Sequence, residues 1–229
     1  IMKETNTQNS KFFSFQPFET LNSSTKRKDR TEKILCDTIA LMNIKGGSLE
    51  TYSDTCWVSI YNTTSSIVYV KPAIDKLIEE QADIFTNQEV YKIVYNIDDI
   101  FYTLCKRIAS VFEPIKYAIN ILESHMVNLA DCLIEIVQIA ATLMRIPTSN
   151  DFRTLAIIAF NFHYQQFDIF LYLLTYFLYP NYHNCSLKKG TFRYICKLAV
   201  DYYKNLHYNE KECCELVNQL IKYKARVAA

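Results

Sequence analysis

Apolar residues recur at intervals of three and four along most of this chain, which is the spacing of one face of an α-helix. Proline disfavours helix interiors, so Pro114 and Pro147 are interpreted as helix boundaries. The run between them comprises Ile119, Leu122, Met126, Leu129, Leu133, Ile136, Ala140 and Leu143. This pattern predicts one amphipathic helix over residues 115–145, about 45 Å long.

The segment between Pro147 and Pro180 repeats this spacing. Its positions are Phe152, Leu155, Ala159, Phe162, Gln166, Ile169, Leu173 and Tyr176. They predict a second long helix over residues 151–179, which a short turn at residues 147–150 joins to the first. Two helices of equal length with a short connection pack side by side, so we expect an antiparallel pair at the centre of a helical bundle.

Signals for sheets and tight turns are scarce in this sequence. The chain has 3 glycines in 229 residues, which leaves little material for hairpin turns. Capping-box patterns at residues 86–89 and 209–212 predict two further helix starts. We therefore predict an all-α fold, a multi-helix bundle in which residues 29–229 form a single helical domain and residues 1–28 form a polar N-terminal arm.

A polar run at residues 62–66 predicts an interruption before the central helices. A helix over residues 48–61 is expected to end at this run. Pro72 is expected to begin another helix, because proline suits the first helical turn. The β-branched segment between them, residues 67–70, is expected to be extended.

Charge and hydropathy argue against two classes of protein. The formal net charge is +1, which gives little attraction for a phosphate backbone, so nucleic acid is not an expected partner. Residues 155–179 form an apolar window long enough to cross a bilayer. An ionised Asp168 near its middle would cost roughly 3 kcal/mol there, so we predict a buried helix and no membrane span.

The sequence contains none of the common catalytic signatures. There is no HExxH motif, phosphate-binding P-loop, dinucleotide fingerprint or GxSxG nucleophile motif. The histidines are His125, His163, His183 and His207, and no pair shares a metal-ligand spacing with two cysteines. We therefore predict a protein that is not an enzyme and that uses no cofactor or metal.

Cysteine usage favours an oxidising compartment. The chain has 8 cysteines, an even number that is typical of disulfide pairing: Cys36, Cys56, Cys105, Cys132, Cys185, Cys196, Cys213 and Cys214. Bridges among them are expected to staple neighbouring helices, with the adjacent Cys213 and Cys214 bonded to different elements. Sequons make Asn22, Asn62 and Asn184 candidate glycosylation sites. The alternative is a cytoplasmic protein with reduced thiols in its core.

Two Cys–Tyr–Cys groups carry a resemblance to a known family. They are Cys36, Tyr52 and Cys56, and Cys185, Tyr194 and Cys196. In these groups, and in its helical, cysteine-rich and tyrosine-rich character, the chain resembles the aphid bicycle proteins, which are secreted salivary effectors of insects. The resemblance implies a secreted, non-enzymatic effector that binds a host protein.

Two other functions remain open at this point. One is an intracellular helical-bundle interaction protein of a virus or parasite, with reduced cysteines. The other is a carrier whose aromatic interior holds a small apolar ligand.

Overall fold

The structure, a computed structural model, describes residues 25–45, 48–53, 56–85, 88–95, 99–124, 126–182 and 187–227. Most of these residues are helical and none is in a strand, which confirms the predicted all-α fold. The helices are α1 (Thr25–Leu41), α2 (Trp57–Gln81), α3 (Gln88–Val94), α4 (Ile100–Leu122), α5 (Leu129–Arg145), α6 (Arg153–Gln166), α7 (Ile169–Leu178), α8 (Thr191–Asn205) and α9 (Glu210–Val227).

The chain divides into two compact units, Ile1–Phe112 and Glu113–Ala229. Residues 29–229, which are predicted to form a single helical domain, contribute to both of these units. Helix α1 begins at Thr25, inside the arm predicted for residues 1–28, and residues 1–24 lie outside the described residues.

Helix α2 supplies most of the core of the first unit. It packs against α1, and one buried cluster contains Ile39, Val70, Ala73, Ile74 and Ile78. A second cluster joins Ile67 of α2 to Tyr102 and Cys105 of α4, each of which is 2% exposed. Lys71 lies over the Tyr102 ring, with its Nζ 4.9 Å from the ring centroid. These contacts bury the apolar faces of both helices.

Helix α2 is continuous through the polar run and through Pro72. The predicted helix end at residue 61, the extended segment 67–70 and the helix start at Pro72 are therefore wrong. Residues 63–66 are buried, and two of their hydroxyls bond back to the helix: Thr64 donates to the Ile60 carbonyl at 2.7 Å, and Ser66 donates to the Thr63 carbonyl at 2.9 Å. Satisfied hydroxyls and tertiary burial thus override the turn propensity of these residues.

The predicted helix over residues 115–145 is two helices in the structure. Pro114 lies inside α4, which ends at Leu122, and α5 begins at Leu129. A capping box starts α5: the Asn128 side chain accepts from the Asp131 backbone N–H at 3.2 Å, and the Asp131 carboxylate accepts from the Asn128 N–H at 3.0 Å. This local arrangement satisfies helix-start donors that a continuous helix would not have.

The predicted helix over residues 151–179 is also interrupted. Helix α6 ends at Gln166, and the Asp168 carboxylate caps α7 by accepting from the Phe170 N–H at 3.2 Å. The prediction of two uninterrupted long helices is therefore wrong, and their antiparallel pairing is not confirmed.

The helices of the second unit pack against one another in pairs. Helix α5 packs against α6 and α7, α7 packs against α8, and α8 packs against α9. Phe177 of α7 contacts the rings of Phe192 in α8 and Tyr223 in α9, and the Tyr223 hydroxyl donates to the Leu178 carbonyl at 2.9 Å. Aromatic side chains thus join the last three helices.

Candidate functional site

The cysteines that the structure describes are all free thiols. Cys36, Cys56 and Cys214 are exposed, Cys105 and Cys213 are buried, and Cys132 and Cys196 are partly buried. Cys185 lies outside the described residues. No disulfide joins any cysteine of the described part of the chain, so the predicted stapling is not confirmed.

Three of these thiols are held in their protonated form. Burial raises the pKa of the Cys105 thiol to about 11. Burial and the neighbouring Asp131 charge raise the pKa of Cys132, and burial raises that of Cys196 in spite of the opposing Lys224 charge. Because the thiolate is the reactive species, these cysteines are poor nucleophiles and act as apolar packing groups.

The other candidate residues do not converge on one site. Asn62 is half-buried within α2, so its sequon lies in a helix, while Asn22 and Asn184 lie outside the described residues. His163 and His207 lie on different elements, and His125 and His183 also lie outside the described residues. Within the described ranges, no three His, Cys, Asp or Glu side chains come together as a metal site. No helix of the described chain is long and apolar enough to cross a membrane.

Helix α6 exposes large apolar side chains along one face. Leu155, Ile158 and Phe162 are 65%, 59% and 58% exposed, and their spacing of three and four places them on one side of the helix. The prediction that residues 155–179 form a buried helix is therefore wrong for Leu155 and Phe162. We call this surface the α6 stripe, defined by Leu155, Ile158 and Phe162.

The opposite face of α6 is apolar as well. Ala156, Ile157 and Phe160 lie there and are half-buried, whereas no residue of α6 is fully buried. A helix that is apolar on both faces is normally covered on both faces. The α6 stripe is therefore an apolar surface that other parts of the described chain leave open to solvent.

A second feature of this unit is a cleft of about 260 Å³ between α4 and α5. Its walls are Glu113, Pro114, Tyr117, Glu135, Gln138, Ile139 and Thr142. We call it the α4–α5 cleft. The apolar spacing does not indicate this cleft, although Glu135 interrupts the apolar run of residues 133–137 and is the one acidic residue in it.

Glu135 is 6% exposed as a residue, and its carboxylate oxygens, which form no hydrogen bond or ion pair with the other described residues, reach solvent in the cleft. Burial and the Asp131 charge raise the pKa of its carboxyl. The Asp131 oxygens accept hydrogen bonds from the Tyr182 hydroxyl at 2.5 Å and from the Asn128 N–H at 3.0 Å. The cleft therefore holds a carboxylate whose charge lacks a partner.

Comparison with known proteins gives no further guide. No family model, curated protein or solved structure matches this chain.

Proposed function

We propose that this protein is a non-enzymatic effector that acts by binding a host protein, and that the α6 stripe is its contact surface. The observation that carries the proposal is the exposure of Leu155, Ile158 and Phe162 on one helical face. Anchors at positions i, i+3 and i+7 are the pattern by which an amphipathic helix fills a groove of its partner. The secreted character comes from the resemblance to the bicycle proteins.

The chemistry of α6 specifies the partner surface. Arg153 at the start of α6 is its single Asp, Glu, Lys or Arg residue, and the side chains that flank the stripe, such as Asn161 and Gln165, are polar and uncharged. Large apolar anchors with an uncharged border suit an apolar groove whose rim is also uncharged. The partner is therefore a protein with such a groove, and salt is expected to affect its binding only weakly.

Replacement of the three anchors by serine tests this contact. We expect the Leu155→Ser, Ile158→Ser, Phe162→Ser variant to bind the partner at least roughly tenfold more weakly, because buried anchors dominate binding energy. The partner is first captured from host extract, then purified and titrated against both proteins by calorimetry. A variant with Met144→Ser and Ile221→Ser is the control, since these side chains are 61% and 50% exposed on other helices.

Two results would contradict this use of the stripe. The first is equal affinity of the triple variant and the original chain for the purified partner. The second is a dimer of the original chain in sedimentation that the triple variant abolishes, because the stripe would then bind a second copy.

The intracellular interaction protein with reduced cysteines is the second candidate, and Cys105 favours it. Its thiol is 2% exposed between Ile67 and Tyr102, where a free cysteine packs as a small apolar residue. The carrier of an apolar ligand is less well supported, because the walls of the α4–α5 cleft include two carboxylates.

A thiol count separates the secreted protein from the intracellular one. The 8 cysteines are alkylated under denaturing conditions, with and without reductant, and weighed by mass spectrometry. Mostly paired cysteines, with a melting temperature that reductant lowers, support secretion, since each cross-link contributes about 2–4 kcal/mol. Eight free thiols in material from its native compartment, with melting unchanged by reductant, support the intracellular protein.

A further inference from the structure

We propose that the α4–α5 cleft binds an alkylguanidinium group, the chemistry of an arginine side chain. The proposal concerns Glu113, Tyr117 and Glu135 and does not depend on the α6 stripe. It starts from Glu135, whose side chain lines the cleft, is more than nine-tenths buried and has no hydrogen-bonding partner among the described residues.

The protein surrounds most of Glu135, and its carboxylate, which opens into the cleft, has no ion-pair partner among the described residues. Such a carboxylate loses part of its hydration, and a cation with N–H donors compensates for that loss. Neighbouring Asp131 cannot supply one, because it is also an acidic residue; burial and the Asp131 charge raise the pKa of the Glu135 carboxyl. Glu113 adds a second, exposed carboxylate at the wall of the same cleft. Both carboxylates therefore attract a positive group that none of the described residues supplies.

The remaining walls favour an organic cation over a metal ion. Tyr117 presents a ring that is 61% exposed, and a guanidinium plane stacks on such a face. Pro114 and Ile139 offer apolar surface for a methylene stem. The described residues place no third acidic or histidine ligand here, as a protein-held divalent ion would require.

The hydrogen-bonding groups favour guanidinium over ammonium. A guanidinium carries five N–H donors in a planar fork, and carboxylates accept two of them in parallel. Besides its two carboxylates, the cleft offers the Gln138 side-chain oxygen and the Thr142 hydroxyl as further acceptors. A volume of about 260 Å³ suits one such side chain rather than a folded segment.

Titration of the full chain with small probes tests the proposal. The probes are agmatine, blocked arginine amide, blocked lysine amide and the uncharged blocked citrulline amide. Binding is followed by backbone amide NMR shifts at Gln138, Ile139 and Thr142. We expect the arginine amide to bind roughly tenfold or more tightly than the citrulline amide, because the lost hydrogen bonds are charge-assisted. The lysine amide is expected to fall between them.

Three variants locate the site. Glu135→Gln is expected to weaken arginine-amide binding roughly tenfold or more, and Glu113→Gln to weaken it by a smaller factor because that carboxylate is exposed. Glu215→Gln removes an exposed carboxylate on α9 and is expected to leave binding unchanged. Glu113 is exposed, so its variant is expected to fold normally even if Glu135→Gln does not.

The probes also distinguish the two sources of a guanidinium. Tighter binding of agmatine indicates a free metabolite, and tighter binding of the blocked arginine amide indicates an arginine of a partner protein. The proposal is overturned if no probe shifts the amides of the cleft, if citrulline amide binds as tightly as arginine amide, or if both cleft variants retain full affinity.

Discussion

Replacement of Leu133 by alanine is expected to lower the free energy of unfolding by about 2–5 kcal/mol. Leu133 is 6% exposed on α5, the helix that packs against both α6 and α7. The loss combines the transfer free energy of the deleted side-chain atoms with the cavity left among these helices. Urea unfolding of the full chain, followed by circular dichroism, measures it.

A control on the same helix makes the Leu133→Ala result specific. Val137 lies one turn later and is 55% exposed, so Val137→Ala is expected to change stability by no more than about 0.5 kcal/mol. If Leu133→Ala costs less than about 1 kcal/mol, Leu133 does not belong to the core of the second unit.

Asn128→Ala is expected to lower stability by about 0.5–2 kcal/mol, because the Asn128 side chain caps α5. The direction of this stability change distinguishes a capped helix start from a continuous helix. In one continuous helix over residues 115–145, alanine at this position would raise stability, since alanine has the higher helix propensity. Thermal or urea unfolding of the full chain therefore distinguishes a helix start at Asn128 from an unbroken helix.

Asn120 provides the matched control for the cap. It is exposed inside α4, where asparagine has no capping role. Asn120→Ala is expected to raise stability by up to about 0.7 kcal/mol, in the opposite direction to Asn128→Ala. Equal stabilisation by both substitutions would show that α4 and α5 are continuous.

The C-terminal helices show how well local signals work when they agree. The capping pattern at residues 209–212 is confirmed: the Asn209 N–H donates to the Glu212 carboxylate at 2.8 Å, and the Glu212 N–H donates to the Asn209 side chain at 3.1 Å. Helix α9 begins at Glu210, directly after this cap. The prediction rests on contacts within a few residues, which the sequence specifies directly.

The capping box at Asn128 was missed although its sequence signal is present. Asparagine followed three residues later by aspartate is a weaker pattern than the preferred pairs that end in glutamate or glutamine. The apolar spacing passed through it without a fault, so periodicity alone favoured one helix. In the structure, the cap begins α5, and the apolar spacing describes the inward face of that helix only after the cap. Met126, which precedes the cap, is 89% exposed and does not belong to this face.

The sequence by itself determined that this protein is helical, because a period of three to four residues and a shortage of glycine constrain the backbone locally. It also determined where the helices with consistent caps begin. Tertiary structure decided which apolar faces are buried. Within the apolar spacing between Pro147 and Pro180, Leu155 and Phe162 are exposed, while Leu173 and Tyr176 are partly buried. Periodicity reports that a face is apolar, whereas burial depends on which neighbours reach it. The partnerless carboxylate of Glu135 could not be predicted from the sequence for the same reason, because the burial of this residue arises from the packing around α5.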